Sequence, residues 1–227
     1  AGRIPTEEKS ASNLFLLMFL SGILGARVFY VGWHWREYAG TTSEILMIHH
    51  GGLVLLGGFL AACAVLVIWC RRKHQSLRLM ADALAPPLVL GHALGRIGCF
   101  MNGCCHGLPC DYSWAIRPDA PPEVAGLAIH PVQLYEFAGL LNIMAALWVI
   151  ERSRSYPGQT ALSYCLLYSI LRFVVEFFRG DVPHTFLGHF TAAQMICMAV
   201  FLFAWLTSAR LTFLASRKRM EEKRRGS

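Results

Sequence analysis

The sequence has little charge. Charged residues make up 15% of its 227 residues, whereas about 25% is typical of a soluble domain. Hydrophobic residues account for 55% of the chain and occur in long blocks. This scarcity of charge excludes an ordinary soluble globular domain, and it indicates that lipid surrounds much of the protein.

Several familiar signals are missing as well. No small-residue cleavage site follows the first apolar run, so we expect no cleavable signal peptide. No glycine-rich phosphate loop of the soluble kind occurs, and we expect neither a nucleotide nor a metal as cofactor. The net charge of +7 does not predict a nucleic-acid partner, because the basic residues gather at the ends of apolar segments, as in a membrane topology.

Six apolar segments are each long enough, or nearly so, to cross the ~30 Å hydrocarbon core of a bilayer as a helix. They lie at residues 12–33, 52–70, 84–101, 132–150, 159–179 and 188–208. The sequence therefore predicts an all-α integral membrane protein, a polytopic bundle of at least six transmembrane helices. Residues 1–210 would form the membrane-embedded domain, which includes a short outer loop at 102–131, and residues 211–227 would form a basic cytoplasmic tail.

The basic residues of the connections are distributed asymmetrically. One set of connections holds fifteen Lys and Arg residues, and the alternate set holds only Arg36 and Arg117. Positive residues mark the cytoplasmic side of a membrane protein. Both termini are therefore predicted to be cytoplasmic, and loops 34–51, 102–131 and 180–187 are predicted to face outward.

The third span carries an arginine within its apolar run. His92, Arg96 and Cys99 are spaced i, i+4, i+7 and form one stripe on a helix. A central arginine costs ~2.5–3.5 kcal/mol on insertion scales, so its presence needs an explanation. One interpretation is a buried cation directed at an anionic lipid headgroup. The other is an interfacial arginine whose guanidinium extends outward to water.

The fifth span repeats this pattern. Tyr168, Arg172, Glu176 and Arg179 lie along one helical face, which thus bears a hydroxyl, two cations and one anion. The functional interpretation is a second cation at headgroup depth, and the alternative is an Arg172–Glu176 pair that neutralises itself. Arg179 with Asp181 is interpreted as an interfacial anchor.

Two histidine-containing stretches lie near the outer ends of spans. His49 and His50 precede a Gly-Gly pair, where the backbone can approach a ligand closely. A histidine there is either a general base or only a hydrogen-bonding residue. The stretch HPVQLYEFAGLL, residues 130–141, begins the fourth span and taken alone predicts an interface cap. Its polar residues in the outer headgroup zone are His130, Gln133, Tyr135 and Glu136.

The eight cysteines fall into two groups. Those in or at the ends of spans are interpreted as small apolar residues, and they are Cys63, Cys70, Cys165 and Cys197. Those at or beyond the outer end of the third span are Cys99, Cys104, Cys105 and Cys110. The spacing of this second group matches no ordinary structural zinc pattern. An oxidising exterior favours a disulfide, while free thiols and a metal site are the alternatives.

Five stretches, spread over residues 8–208, match the motifs of one family in that family's order. They are GARVFY (25–30), HHGGL (49–53), GRIGCFMNG (95–103), HPVQLYE (130–136) and LRFVVEFFR (171–179). Together they resemble the prolipoprotein diacylglyceryl transferases of the bacterial plasma (inner) membrane. The resemblance implies transfer of the diacylglyceryl group of phosphatidylglycerol to the thiol of a lipobox cysteine in a preprolipoprotein signal peptide, with release of glycerol phosphate.

The resemblance also implies roles for individual residues. His50 corresponds to the essential histidine, the base toward the incoming thiol, and Arg96 and Arg172 correspond to two essential arginines; these are the expected catalytic residues. The expected substrate-binding residues are Arg96, Arg172, Tyr168, Glu176, Asn102, Gly103, His130, Gln133, Tyr135 and Glu136. Arginine suits this task because it binds phosphate in a bidentate manner. The active site is expected in the outer half of the bilayer, between the second, third and fifth spans.

The chain departs from the family pattern in two ways. Where the family motif reads G-R-x-G-N-F-x-N-G-E, Cys99 stands in place of the asparagine and Cys104 in place of the acid. The family also usually has seven spans, and the six visible here lack a counterpart of the first; a truncated chain and an altered function are the two interpretations. Two alternatives therefore stand beside the transferase: a divergent phospholipid-dependent transferase with another acceptor, and a non-enzymatic phospholipid-binding or transport protein.

Overall fold

The structure, a computed structural model, describes residues 8–38, 45, 52, 54–119, 121–182 and 190–225. Within these ranges the only regular elements are helices, and no strand longer than an isolated bridge occurs. The helices are α1 Glu8–Trp33, α2 Trp35–Tyr38, α3 Leu55–Arg72, α4 Leu77–Met101, α5 Val132–Arg152, α6 Gln159–Glu176 and α7 Ala192–Arg225. The predicted all-α class is confirmed.

Four of these helices are long and apolar enough to cross a membrane, namely α4, α5, α7 and the Ser12–Trp33 part of α1. The helices α3 and α6 have 18 residues each, which corresponds to a length of ~27 Å. Helix α6 is not among the four, and its charged residues Arg172 and Glu176 lower its mean hydropathy. Multiple membrane crossings are thus supported, and six or more crossings stay a prediction.

Two helices extend far beyond their predicted spans. Helix α4 begins at Leu77, before the predicted span at 84–101, and Pro86 and Pro87 lie inside it. Helix α7 has 34 residues and continues through the basic tail to Arg225. No proline or glycine interrupts α7, and the Lys, Arg, Glu and Met residues of the tail have high helix propensity, so nothing local ends the helix earlier.

The chain divides into two compact units, residues 1–80 and residues 81–227. In the first unit α1 and α3 approach each other through glycines. A Cβ atom added to Gly57 would lie 2.5 Å from the Gly25 carbonyl oxygen, and one added to Gly58 would lie 2.7 Å from that of Gly22. Helices associate in lipid through such close backbone packing.

A buried arginine also stabilises the first unit. Arg27 of α1 is 6% exposed. Its Nε donates to the Ile45 carbonyl oxygen at 2.9 Å and its Nη1 to that of Gly52 at 3.1 Å. Gly52 has a φ of +76°, a left-handed conformation that favours glycine. Part of the GARVFY motif thus has a structural role in holding the chain that leads into α3.

In the second unit α4 and α5 form the core. The fully packed residues are Ala85, Val89, Ala93, Leu140, Ile143 and Leu147. Ala85, Val89 and Ala93 lie four residues apart on α4 and pack in one cluster with the α5 residues. Helix α6 covers this cluster with Tyr164, Tyr168 and Leu171. In lipid such a core gains stability from close van der Waals packing more than from exclusion of water.

An aspartate of α4 holds the start of α6. Asp82 is 1% exposed. Its carboxylate accepts hydrogen bonds from the backbone N–H groups of Gly158 at 2.6 Å and Ala161 at 3.0 Å. The first N–H groups of a helix have no partner within the helix, and a carboxylate at that end also complements the helix dipole. This cap fixes α6 against α4 and so brings their polar faces together.

Candidate active site

Arg96 lies near the C-terminal end of α4, one turn after His92. Its Nε atom is 3.2 Å from Oε1 of Glu136 on α5. Its Nη2 atom is 3.4 Å from Nε2 of His92. The Arg96 side chain is 15% exposed. The guanidinium therefore pairs with a buried carboxylate. It does not extend outward to water, which was the alternative interpretation.

Glu136 connects three helices. The residue is 2% exposed, and its Oε1 atom also accepts a hydrogen bond from the Tyr168 hydroxyl of α6 at 2.9 Å. A second contact between α4 and α6 joins His92 Nδ1 and the Tyr164 hydroxyl at 3.0 Å. One continuous polar network thus crosses the apolar core, and every member has a named partner, as buried polar groups require.

Arg172 forms the self-neutralising pair that its sequence spacing allows. Its Nη2 atom is 2.6 Å from Oε2 of Glu176, and Oε1 of Glu176 accepts the Thr191 hydroxyl hydrogen at 2.7 Å. The pair leaves part of the guanidinium unused, because Arg172 Nη1 is buried and has no hydrogen-bond partner among the described residues. A buried donor without an acceptor is costly, and an anionic ligand would satisfy it.

The charges of Arg96 and Arg172 act on the same two side chains, His92 and Tyr168. The His92 ring interacts electrostatically with Arg96, Arg172 and Glu136. The Tyr168 hydroxyl interacts electrostatically with both arginines. Each arginine contacts a carboxylate through one guanidinium nitrogen, and a guanidinium has five N–H donors. The site therefore combines two cations, and in the described part of the chain one of their donors, Arg172 Nη1, has no hydrogen-bond partner.

A third arginine follows the end of α6. Arg179 binds Asp181 through two hydrogen bonds, Nε to Oδ1 at 2.9 Å and Nη2 to Oδ2 at 2.7 Å. Burial by itself raises the pKa of Asp181, but the hydrogen bonds and charge of Arg179 outweigh burial, and the pKa of Asp181 lies below its usual value. Arg179 Nε is also 4.0 Å from Glu176 Oε2. This bidentate pair fits the anchor interpretation of the sequence.

The remaining predicted site residues lie in or beside the loop between α4 and α5. A cavity of about 370 Å³ is lined by Asn102, Gly103 and Gln133 together with neighbouring loop residues. Gln133 donates from Nε2 to the Cys104 carbonyl oxygen at 2.8 Å. Its Oε1 atom is buried without a hydrogen-bond partner in the part of the chain that the structure describes.

His130 and Tyr135 belong to a separate aromatic group. His130 Nδ1 is 3.1 Å from the Tyr135 hydroxyl oxygen, which also accepts a hydrogen bond from Trp114 Nε1 at 2.8 Å. The structure thus divides the predicted substrate-binding residues among the arginine network, the loop cavity and this aromatic group. His50, the predicted base, lies outside the described residues together with His49.

All eight cysteines are free thiols. The disulfide that an oxidising exterior favours is therefore not formed. The Sγ atoms of Cys99, Cys104 and Cys105 lie within 4.8 Å of one another, and Cys110 is not part of this group.

Three residues that contact predicted site residues or their neighbours were not themselves predicted. His92 was visible on the same helical face as Arg96, but one polar residue on a helix does not identify its partner. Tyr164 lies one turn before Tyr168 and has the same kind of signal. No sequence signal points to Thr191, because its contact with Glu176 depends on how the chain enters α7.

Comparison with known proteins covers nearly the whole chain. The family model for prolipoprotein diacylglyceryl transferase matches residues 2–209. A phosphatidylglycerol–prolipoprotein diacylglyceryl transferase of Finegoldia magna is 34% identical over 181 residues, which is 79% of this chain and 70% of that protein. Proteins of the same name from Clostridioides difficile and Gloeobacter violaceus are 32% and 35% identical over 87% and 83% of this chain, and over 77% and 72% of their own lengths.

Proposed function

This chain belongs to the prolipoprotein diacylglyceryl transferase family, and from that membership and the arginine network we propose that it transfers the diacylglyceryl group of phosphatidylglycerol to a cysteine thiol of a prolipoprotein. It is an enzyme and a multi-pass bacterial membrane protein. The observation that carries the proposal is the pair Arg96 and Arg172, two largely buried guanidinium groups. Arg96 is held by Glu136 and Arg172 by Glu176, and the charges of both act on His92.

The reaction requires stabilisation of negative charge. The thiolate sulfur attacks the glyceryl carbon, the carbon–oxygen bond to the phosphate breaks, and its electron pair stays on the departing glycerol phosphate. The phosphate thereby changes from about one negative charge to about two. Preorganised cations in a site of low dielectric stabilise such developing charge most effectively. Arg172 Nη1, which has no hydrogen-bond partner among the described residues, and the guanidinium of Arg96, which contacts Glu136 through Nε, are suited to this task.

The carboxylates have a positioning role in this proposal. Glu136 holds Arg96 and Tyr168 in place, and Glu176 holds Arg172. Both carboxylates keep the guanidinium groups oriented before the lipid binds, so less entropy is lost on binding. His50 is the proposed base that takes the thiol proton.

Further details of the proposal concern the partners and the orientation. The acceptor is the lipobox cysteine in the signal peptide of the preprolipoprotein. Both described ends of the chain face the cytoplasm, and the active site lies toward the outer half of the bilayer. The distribution of Lys and Arg among the connections supports this orientation.

The test is mass spectrometry of a lipobox peptide incubated with the purified protein and phosphatidylglycerol. We expect a diacylglyceryl mass gain on the peptide cysteine. Arg96→Ala should lower the rate by about 10²–10³-fold, as loss of one oxyanion-stabilising donor does. Arg78→Ala, which removes an exposed arginine at the other end of the same helix, is the matched control. Equal rates for the two variants would overturn the assigned role of Arg96.

A further inference from the structure

Three cysteines converge at the C-terminal end of α4. The Sγ atoms of Cys99, Cys104 and Cys105 lie within 4.8 Å of one another, and all three residues are half-buried. The attacking sulfur of the proposed reaction belongs to the acceptor, so that reaction gives these three thiols no role. A crosslink would need only two of them.

The convergence follows from the way α4 ends. The N–H of Cys104 bonds to the Cys99 carbonyl oxygen at 3.1 Å, and the N–H of Gly103 bonds to that of Phe100 at 3.2 Å. Gly103 has a φ of +69°. These two bonds and the left-handed glycine define a Schellman motif, which turns the chain back over the last helical turn. The motif therefore places Cys104 directly beside Cys99.

Cys105 adds a third sulfur through a second unusual conformation. Its φ is +61°, a left-handed value that a residue with a side chain adopts infrequently. This backbone conformation turns Cys105 toward the other two sulfurs, although it costs energy of order 1 kcal/mol or more. Strain of this kind persists when another interaction compensates for it.

The electrostatic surroundings favour a cation among these sulfurs. The C-terminal end of a helix carries a partial negative charge and attracts positive charge, so three adjacent thiolates alone would be unstable there. Arg96 lies in the electrostatic range of Cys99 and Cys105, and Arg179 in that of Cys105. Both arginines already contact carboxylates. A divalent metal ion would reduce the charge of three thiolates from −3 to −1, and the remaining negative charge suits the two nearby arginines.

We propose that Cys99, Cys104 and Cys105 bind one Zn²⁺ ion and leave its fourth position open for an exogenous thiolate. Tetrahedral zinc has Zn–S bonds of about 2.3 Å, which places its sulfurs about 3.8 Å apart. The sulfurs of the cluster need to close by no more than about 1 Å, which side-chain rotation provides. Three protein ligands with one open position are the arrangement of catalytic zinc sites, and soft thiolate ligands select zinc.

The identity of the fourth ligand rests on the proposed function, whereas the metal site itself does not. The acceptor thiol would replace a zinc-bound water molecule; the thiol proton passes to solvent or a nearby base, and the water leaves. A thiol bound to zinc is deprotonated outright, which is the state that an alkyl transfer to sulfur requires. Cys99 is one helical turn from Arg96. The Cβ atoms of two residues at this spacing are about 5–6 Å apart. The activated sulfur and the phosphate-binding arginine would thus be neighbours.

The first experiment measures the metal. The full chain is purified under reducing conditions in lipid nanodiscs, supplied with Zn²⁺, dialysed and analysed for metal content. We expect one zinc per chain for the wild type and for Cys165→Ser, the control on α6, and loss of bound zinc for Cys99→Ser and Cys104→Ser. Unchanged zinc content in both cluster variants, no zinc in the wild type, or a disulfide among the three cysteines in the protein isolated without reductant would each overturn the site.

The second experiment tests the fourth ligand by replacing zinc with Co²⁺, whose thiolate charge-transfer absorption reports the number of bound sulfurs. A lipobox peptide should raise this absorption by about one third, from three thiolates to four, and the same peptide with serine in place of its cysteine should not. Equal spectra with both peptides would overturn the fourth-ligand assignment. Transfer of the diacylglyceryl group by metal-free protein would also overturn that assignment and leave the proposed function intact.

Discussion

Replacing Glu136 by glutamine tests whether the polar network is held by charge. The substitution keeps the size of the side chain and its oxygen acceptor but removes the negative charge next to Arg96. At the observed Nε–Oε1 distance of 3.2 Å, the Coulomb attraction is about 5 kcal/mol for an effective dielectric constant of 20. Removal of one partner of a buried pair typically costs about 3–5 kcal/mol, because an uncompensated charge stays buried.

A double-mutant cycle separates the interaction energy of Arg96 and Glu136 from other effects of the two substitutions on stability. Arg96→Met removes the cation that Glu136→Gln leaves without a counter-charge, so the double variant should be more stable than the sum of the two single effects predicts. We expect a coupling free energy of about 1–3 kcal/mol. The assay is reversible unfolding in mixed micelles with an increasing fraction of SDS, followed by circular dichroism.

The control is an exposed carboxylate in the same unit of the protein. Glu123→Gln neutralises an exposed carboxylate in the loop between α4 and α5, and it should change the free energy of unfolding by less than about 0.5 kcal/mol. A coupling free energy below about 0.5 kcal/mol between the Glu136 and Arg96 substitutions would refute the reasoning, because residues in contact do not behave additively.

Three further predictions concern the parts of the second unit that position the site. Asp82→Ala should destabilise the protein by about 1–3 kcal/mol for each of the two N–H groups, those of Gly158 and Ala161, that it leaves without an acceptor, measured in the same unfolding assay. The pKa of Asp181 is lower in the folded protein than in the unfolded chain, where it is about 3.9. The pair with Arg179 therefore stabilises the fold fully above about pH 3.9. This stabilisation is lost as the pH falls through the lower folded-state pKa. Asp181→Asn should therefore flatten the loss of stability below about pH 4, and parallel pH profiles for the two proteins would contradict this. Gly107→Ala should open the loop before α5, because its Cβ would collide with the His130 carbonyl oxygen; faster hydrogen exchange of that loop would show it, and unchanged exchange would exclude the collision.

Much of the fold was predictable because lipid imposes a simple rule. Backbone groups in a bilayer must be paired within the segment, so long apolar runs form helices. The predicted all-α class follows from this rule alone. The helix ends were less predictable, since Pro86 and Pro87 lie inside α4 and α7 runs through its basic tail. The two prolines inside α4 go against local helix propensity, whereas the tail of α7 agrees with it. Hydropathy predicts neither result.

The cysteine motif shows a different limit of sequence reasoning. The linear spacing of the cysteines matched no ordinary zinc pattern, and the oxidising exterior favoured a disulfide. The Schellman motif at Gly103 and the left-handed Cys105 bring three sulfurs together over only seven residues of chain. A spacing rule cannot anticipate this, because it counts residues and does not describe how the backbone turns.

The sequence by itself determined the helical membrane class, the family motifs and the presence of two arginines where lipid should surround the chain. It did so because hydropathy and residue identity are local properties. The tertiary structure alone decided which carboxylate each arginine contacts. Glu136 is forty residues from Arg96 along the chain and belongs to another helix, so packing of α4, α5 and α6 around one buried network, and no local pattern, places the two side chains within reach.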